Sequence, residues 1–153
     1  MPPMIANMET ARAPSTNRVL LAVDQRKAAN GSVDEAIRMA RIERAELIVL
    51  SVLEPSNLHL PGGLTRRVDQ ERDRLETGAR AIVQRARDAG VSATYLIWEG
   101  DPAETILEAS YAEAADVIVL GSRPRTDLRR LLLGSVSDHV TRTASCQVIV
   151  VPN

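Results

Sequence analysis

The chain contains no phenylalanine and only three aromatic residues, Tyr95, Trp98 and Tyr111. Base stacking, the sequence-tolerant grip on single-stranded nucleic acid, therefore has almost nothing to work with. A single cysteine, Cys146, excludes an internal disulfide and any cysteine-rich zinc site. Lying just before the last apolar run, it reads as a small core or strand-edge residue rather than a nucleophile. His59 and His139 stand apart, with no metal-ligand spacing to each other or to a carboxylate cluster. The net charge is only −1, so no global field recruits nucleic acid or anionic lipid. Lysine is nearly missing, since eighteen of the nineteen basic residues are arginine, a bias to which no functional weight is given. No apolar run approaches the length of a membrane span. Residues 1–17, with Pro2, Pro3 and Pro14, hold no apolar block of signal-peptide length. The expectation is a disordered tail over 1–17 and one domain over 18–153, in the cytoplasm, with neither nucleic acid nor membrane as partner. At 153 residues, 44% apolar and 25% charged, such a chain can bury a proper core.

What is present is a regular alternation. Five short runs, Val19–Val23, Leu47–Leu53, Ala93–Trp98, Val117–Leu120 and Val148–Val151, are rich in Val, Ile and Leu, as strands covered on both faces read. Between them apolar residues recur at helical spacing: Val33, Ala36, Ile37 and Ala40; Leu75, Ala79, Ile82, Val83 and Ala86; Ala103, Ile106, Leu107, Ser110, Tyr111 and Ala114; Val136, Val140 and Thr143. Ser32 and Glu35 have capping-box spacing, Asp101 precedes Pro102 as an N-cap should, and Gly90 stands where a left-handed C-terminal cap belongs. The pattern predicts βαβ units: a single-domain, three-layer α/β/α fold on a parallel sheet. Its longest irregular connection, Pro55–Thr65, has the makings of a flap.

Ligands of such sheets sit beyond the carboxyl ends of the strands, where the strand order reverses. Two of those ends carry polar signals, Asp24 after the first strand and Gly121 after the fourth. A sheet ordered 3-2-1-4-5 sets them side by side. Residues 121–137 then run from Gly121 through an arginine-rich loop to Gly134, Ser135, Val136 and Ser137 at a helix start. Backbone amides and the positive end of a helix dipole converge there, an arrangement suited to phosphate.

Asp24, Gly121, the Gly134-Ser135 pair, the run Leu131–Ser137 and the closing Val148–Pro152 together resemble the universal stress protein family. The nucleotide-binding branch of that family has Gly-x2-Gly-x9-Gly-Ser/Thr after the fourth strand. The resemblance spans about residues 18–152 and implies a five-stranded Rossmann-like sheet in the order 3-2-1-4-5, of the adenine nucleotide alpha hydrolase-like type. It implies a non-catalytic regulatory protein of the stress response that binds ATP, with AMP, ADP or cAMP as alternatives and magnesium accompanying ATP. By the same resemblance, Asp24 accepts hydrogen bonds from ribose or adenine, and Val23 and Val52 hold the adenine edge through their backbone. Gly121, Gly134, Ser135, Val136 and Ser137 cradle phosphate, and Arg123 lies in the loop above. A homodimer paired across Gln147–Val151 and a further protein partner are also implied.

One residue departs from the pattern. Pro124 stands where the branch has its second glycine, and proline offers no N–H and no positive φ. The alternative is therefore an interaction module that has lost its nucleotide. An enzyme is the third reading, a slow ATP hydrolase with magnesium on Asp24 and Ser135. Against it, no Walker lysine precedes Ser135, and no serine elbow, carboxylate pair or histidine dyad is present. Local readings stand beside the functional ones: Asp24 as a turn residue, Gly134-Ser135 as a plain helix start, and Arg129, Arg130 and the run 66–76 as solvated faces.

Overall fold

The computed structural model describes residues 17–24, 30–55, 64–122 and 134–152. Five strands, β1 (Arg18–Ala22), β2 (Glu46–Leu53), β3 (Ala93–Glu99), β4 (Val117–Ser122) and β5 (Gln147–Pro152), alternate with four helices. These are α1 (Asn30–Glu43), α2 (Leu64–Asp88), α3 (Pro102–Ala112) and α4 (Ser135–Thr143). Every strand pairing is parallel, and the order is β3-β2-β1-β4-β5, as expected from the sequence.

The strand alternation divides the core in two. Val19, Leu21, Val49, Val117 and Val119 point to one face and pack against Val33, Ala36 and Ala40 of α1 and Ala79, Val83 and Ala86 of α2. Leu20, Ile48, Leu50, Ile118 and Leu120 point to the other, beneath Ala103, Ile106 and Ala109 of α3 and Val140 of α4. With both faces covered, the central strands are free to be continuously apolar. A third, small cluster joins Leu75 of α2 to Leu53 at the end of β2. An ion pair between Arg85 and Asp34 ties the two helices of the first face together. No helix of the described residues is long and apolar enough to cross a membrane.

The helix ends show where local signals decide and where they do not. Asp101 caps α3, accepting from the Glu104 amide at 3.1 Å, with Pro102 in the first turn. Gly90 closes α2 at φ +86, its own amide donating to Arg87 O and that of Val91 to Ala86 O, both at 2.9 Å; this is the Schellman pattern. The Ser32 capping box is a correction: α1 already begins at Asn30, Ser32 is 1% exposed inside the first turn, and Glu35 pairs with Arg38 instead. The third apolar stripe also stops early. α3 ends at Ala112, Ala114 sits in the left-handed region at φ 54, and Tyr111 faces solvent. Finally, β4 continues through Gly121 and Ser122, which pair with Val151 and Pro152, so the chain does not turn at Gly121.

Candidate functional site

β1 and β4 are neighbours, and their register pairs Ala22 with Leu120. Asp24 and Ser122 each lie two residues further on, so both chains leave the sheet at one corner, about one strand spacing (4.8 Å) apart. The strand order reverses at this corner, with β2 on one side of β1 and β4 on the other. It is the crevice in which open α/β sheets take ligands. Val23 is almost fully buried, and its amide donates to Leu50 O at 3.0 Å, which fixes the end of β1 against β2. Asp24 follows directly and is exposed.

α4 supplies the other wall. It leads into β5, whose Gln147 pairs with Val117 at the amino end of the sheet. The helix must therefore run against the strands, and about 13 Å of helix carries its first turn back toward the carboxyl edge. Val136 packs on the same apolar cluster as Ala22 and Val52, so the first turn of α4 and the ends of β1 and β2 share one face. Ser137 is buried, while Gly134 and Ser135 are exposed.

The start of α4 has the electrostatics of an anion site. Gly134 is the N-cap, with Ser135 following as the first helical residue, and no side chain caps the helix. Roughly half a positive charge resides at such an end. Asp138, the acid of the first turn, is held by Arg142 at 2.7 Å. Gly134 has φ −62 and ψ 160, which any residue adopts, and no described atom lies within 4 Å of where its Cβ would stand. The fold itself does not require a glycine at 134.

Nothing in the sequence singles out Arg74, which falls in the charged run 66–76. Its guanidinium holds the Glu71 carboxylate in a fork at 3.1 and 2.6 Å. That hydrogen bonding raises the Arg74 pKa; partial burial opposes the rise, and the negative charges of Glu71 and Asp24 add to it. Arg74 thus stands within the field of Asp24, although fifty residues separate them in sequence. Arg123, Pro124, Arg125, Arg129, Arg130 and residues 56–63 of the Pro55–Thr65 connection lie outside the described residues, and that connection ends earlier than expected, since α2 already begins at Leu64. Among the described residues no group of three His, Cys, Asp or Glu is placed to hold a metal ion.

Comparison with known proteins agrees with this architecture. The model of the Universal stress protein family matches residues 15–152. A universal stress protein of Thermus aquaticus is 35% identical over 139 residues, covering 87% of this chain and 96% of its own. The solved universal stress protein UspA of Lactobacillus plantarum is 28% identical with a TM-score of 0.76, over 92% of this chain and 99% of that one. A second structure, the universal stress protein of Archaeoglobus fulgidus in complex with dAMP, shares the fold at a TM-score of 0.66 and 22% identity, over 90% of this chain and 98% of that one. The chain belongs to the universal stress protein family.

Proposed function

We propose that this chain is a non-catalytic regulatory protein of the stress response that binds an adenine nucleotide. ATP is the first candidate, with AMP, ADP and cAMP as alternatives and magnesium accompanying ATP. One observation carries the reading: Asp24, exposed just past the end of β1, and the uncapped start of α4 both lie toward the carboxyl edge of the sheet, at its switch point. The dAMP bound by the Archaeoglobus protein supports the ligand class. In this reading Asp24 accepts from the ribose or adenine. Val23, whose amide is engaged by Leu50, meets the adenine edge with its carbonyl, beside Val52. The amides of Gly134, Ser135, Val136 and Ser137 take the phosphates, with Gly121 below them and Arg123 in the connecting loop. β5 lies at the sheet edge with Val148–Val151 half-buried, which supports a homodimer formed across Gln147–Val151.

Calorimetric titration of the full chain with Mg-ATP, ADP, AMP and cAMP tests the reading, and flat traces refute it. A hydrogen bond to a charged group is worth about 1.5–3 kcal/mol, so Asp24→Ala is expected to weaken binding about ten- to a hundredfold. Gly134→Ala is expected to leave stability within about 0.5 kcal/mol and to lower affinity, because its methyl enters space that only a phosphate needs. Unchanged affinity in that variant would place the phosphates elsewhere.

A second reading rests on Pro124, which removes one amide from the loop. The protein is then an interaction module without nucleotide. Binding that arises only in Pro124→Gly decides for this alternative.

A further inference from the structure

α2 approaches the corner at Asp24 from the face opposite α4, and the packing fixes which of its residues arrive there. Leu75 packs on Leu53 at the end of β2, so the adjoining Arg74 stands level with the carboxyl edge of the sheet. Ala22 pairs with Leu50, and the Val23 amide still donates to Leu50 O at 3.0 Å. Asp24 therefore comes level with Val52, one residue short of Leu53 and one strand spacing away, about 4.8 Å.

Two other contacts fix the flank of α2 that carries Arg74. Arg85, eleven residues further along, projects within about 20° of the same direction and is ion-paired to Asp34 of α1. On the opposite flank, Arg80 donates to Tyr95 Oη, which in turn donates to Glu76; Tyr95 belongs to the edge strand β3. Arg74 thus lies on the flank toward α1 and β1, not on the flank toward the sheet edge. Glu71 holds its guanidinium in a fork at 3.1 and 2.6 Å. Those hydrogen bonds are the main cause of its raised pKa, and the negative charge of Asp24 adds to it.

We propose that Arg74 is a positioning residue of the nucleotide site, the countercharge that keeps Asp24 an ionised hydrogen-bond acceptor while an anionic ligand enters. A carboxylate that must accept from a nucleotide loses water and meets the ligand's phosphates, and both disfavour its charged form. A fixed cation nearby offsets both. The fork from Glu71 gives that cation one geometry. Of the other charged groups on the elements around this corner, Asp34 is paired with Arg85, Glu35 with Arg38 and Asp138 with Arg142. Glu54 follows β2, and Arg67 lies two turns before Arg74 on the same flank of α2. The coupling of Arg74 to Asp24 belongs to the ligand-free protein; only its effect on affinity rests on the nucleotide reading.

Two measurements on the full chain test this. In the ligand-free protein, the Asp24 carboxyl titration followed by NMR should move to higher pH in Arg74→Gln, because a nearby positive charge is lost. Arg74→Lys keeps the charge and should restore the parent titration. Arg80→Gln removes an equal charge from the flank facing β3 and should leave Asp24 unmoved. In calorimetry, Arg74→Gln should weaken AMP binding about two- to fivefold, the range of a solvent-screened charge pair. Once Asp24→Asn is in place, Arg74→Gln should cost nothing more, since it acts through that carboxylate. An Asp24 titration that stays where it was in Arg74→Gln overturns the proposal. So does an equal loss of affinity with and without the Asp24 charge, which would make Arg74 a direct phosphate contact. Flat calorimetric traces for the parent sink the nucleotide reading instead, and the carboxyl titration still decides the coupling.

Discussion

Replacing Gly100 by alanine should damage this fold far more than a methyl added at Gly134, where no described atom lies within 4 Å of the new Cβ. Gly100 sits between β3 and α3 at φ +150, a backbone conformation that L-residues rarely adopt. Its amide donates to Leu53 O at 3.0 Å, which pins the turn to the end of β2. An added Cβ would lie 2.7 Å from Thr105 Oγ1. Thr105 is 3% exposed, and its amide is bound to Asp101 O at 2.8 Å, so it has little freedom to retreat. Backbone strain at such a φ costs about 1–3 kcal/mol, and an overpacked contact costs about 1–3 kcal/mol more. The lower entropy of the unfolded alanine chain returns about 0.4–1 kcal/mol. The expected net loss is about 1–5.5 kcal/mol, read as a fall in Tm of roughly 2–20 °C for a chain of this size. Urea denaturation of Gly100→Ala, Thr105→Ala and the double variant measures it. Thr105→Ala should relieve the steric part of the loss and leave the backbone part, giving a coupling of about 1–3 kcal/mol. A Gly100→Ala protein within about 0.5 kcal/mol of the parent would show that the turn relaxes freely and that the reasoning is wrong.

Ala114 ends α3 in the left-handed region, with the Ala115 amide on Ser110 O at 2.9 Å. Ala114→Gly should therefore add about 0.5–1 kcal/mol, strain relief exceeding the entropic cost of glycine, and thermal melting checks it. Tyr95 Oη donates to Glu76 Oε2 at 2.6 Å and, with Arg80 beside it, holds the Glu76 carboxyl below its ordinary value of 4.5. A depressed carboxyl gives stability that is present above its unfolded pKa and lost as pH falls through the folded one. Tyr95→Phe should thus flatten the stability profile on the acid side of pH 4.5 and change its slope little near neutrality; a parallel shift at every pH would deny the carboxyl its part. Burial pushes the Cys146 thiol above its usual 9.0. Its reaction with a disulfide reagent at neutral pH should be slower than that of free cysteine, and a fast reaction would show an activated thiol instead.

Much of this molecule was legible in one dimension. Unbroken Val, Ile and Leu runs alternating with 3.6-residue stripes specify a parallel sheet covered on both faces, because only strands buried twice dispense with polar positions. Asp101 with Pro102, and Gly90, fixed their helix ends through contacts within four or five residues. An acid at a strand end or a glycine at a helix start is commonplace taken singly; Asp24 and Gly134–Ser137 stood out only through their order and spacing around Gly121. Only the tertiary structure decided what depends on neighbours remote along the chain. Ser32 has the spacing of a cap, yet α1 already begins at Asn30 and buries Ser32 within its first turn. Gly121 looks like a turn, yet β5 extends the pairing past it. Arg74 belongs to an ordinary wet helical face until α2 carries it into the field of Asp24. Tyr111 fits an apolar stripe, yet α3 leans over β2 and leaves that side chain in water beside Trp98. Periodicity records how much of a side chain is buried, whereas the identity of what buries it is set by how the elements cross.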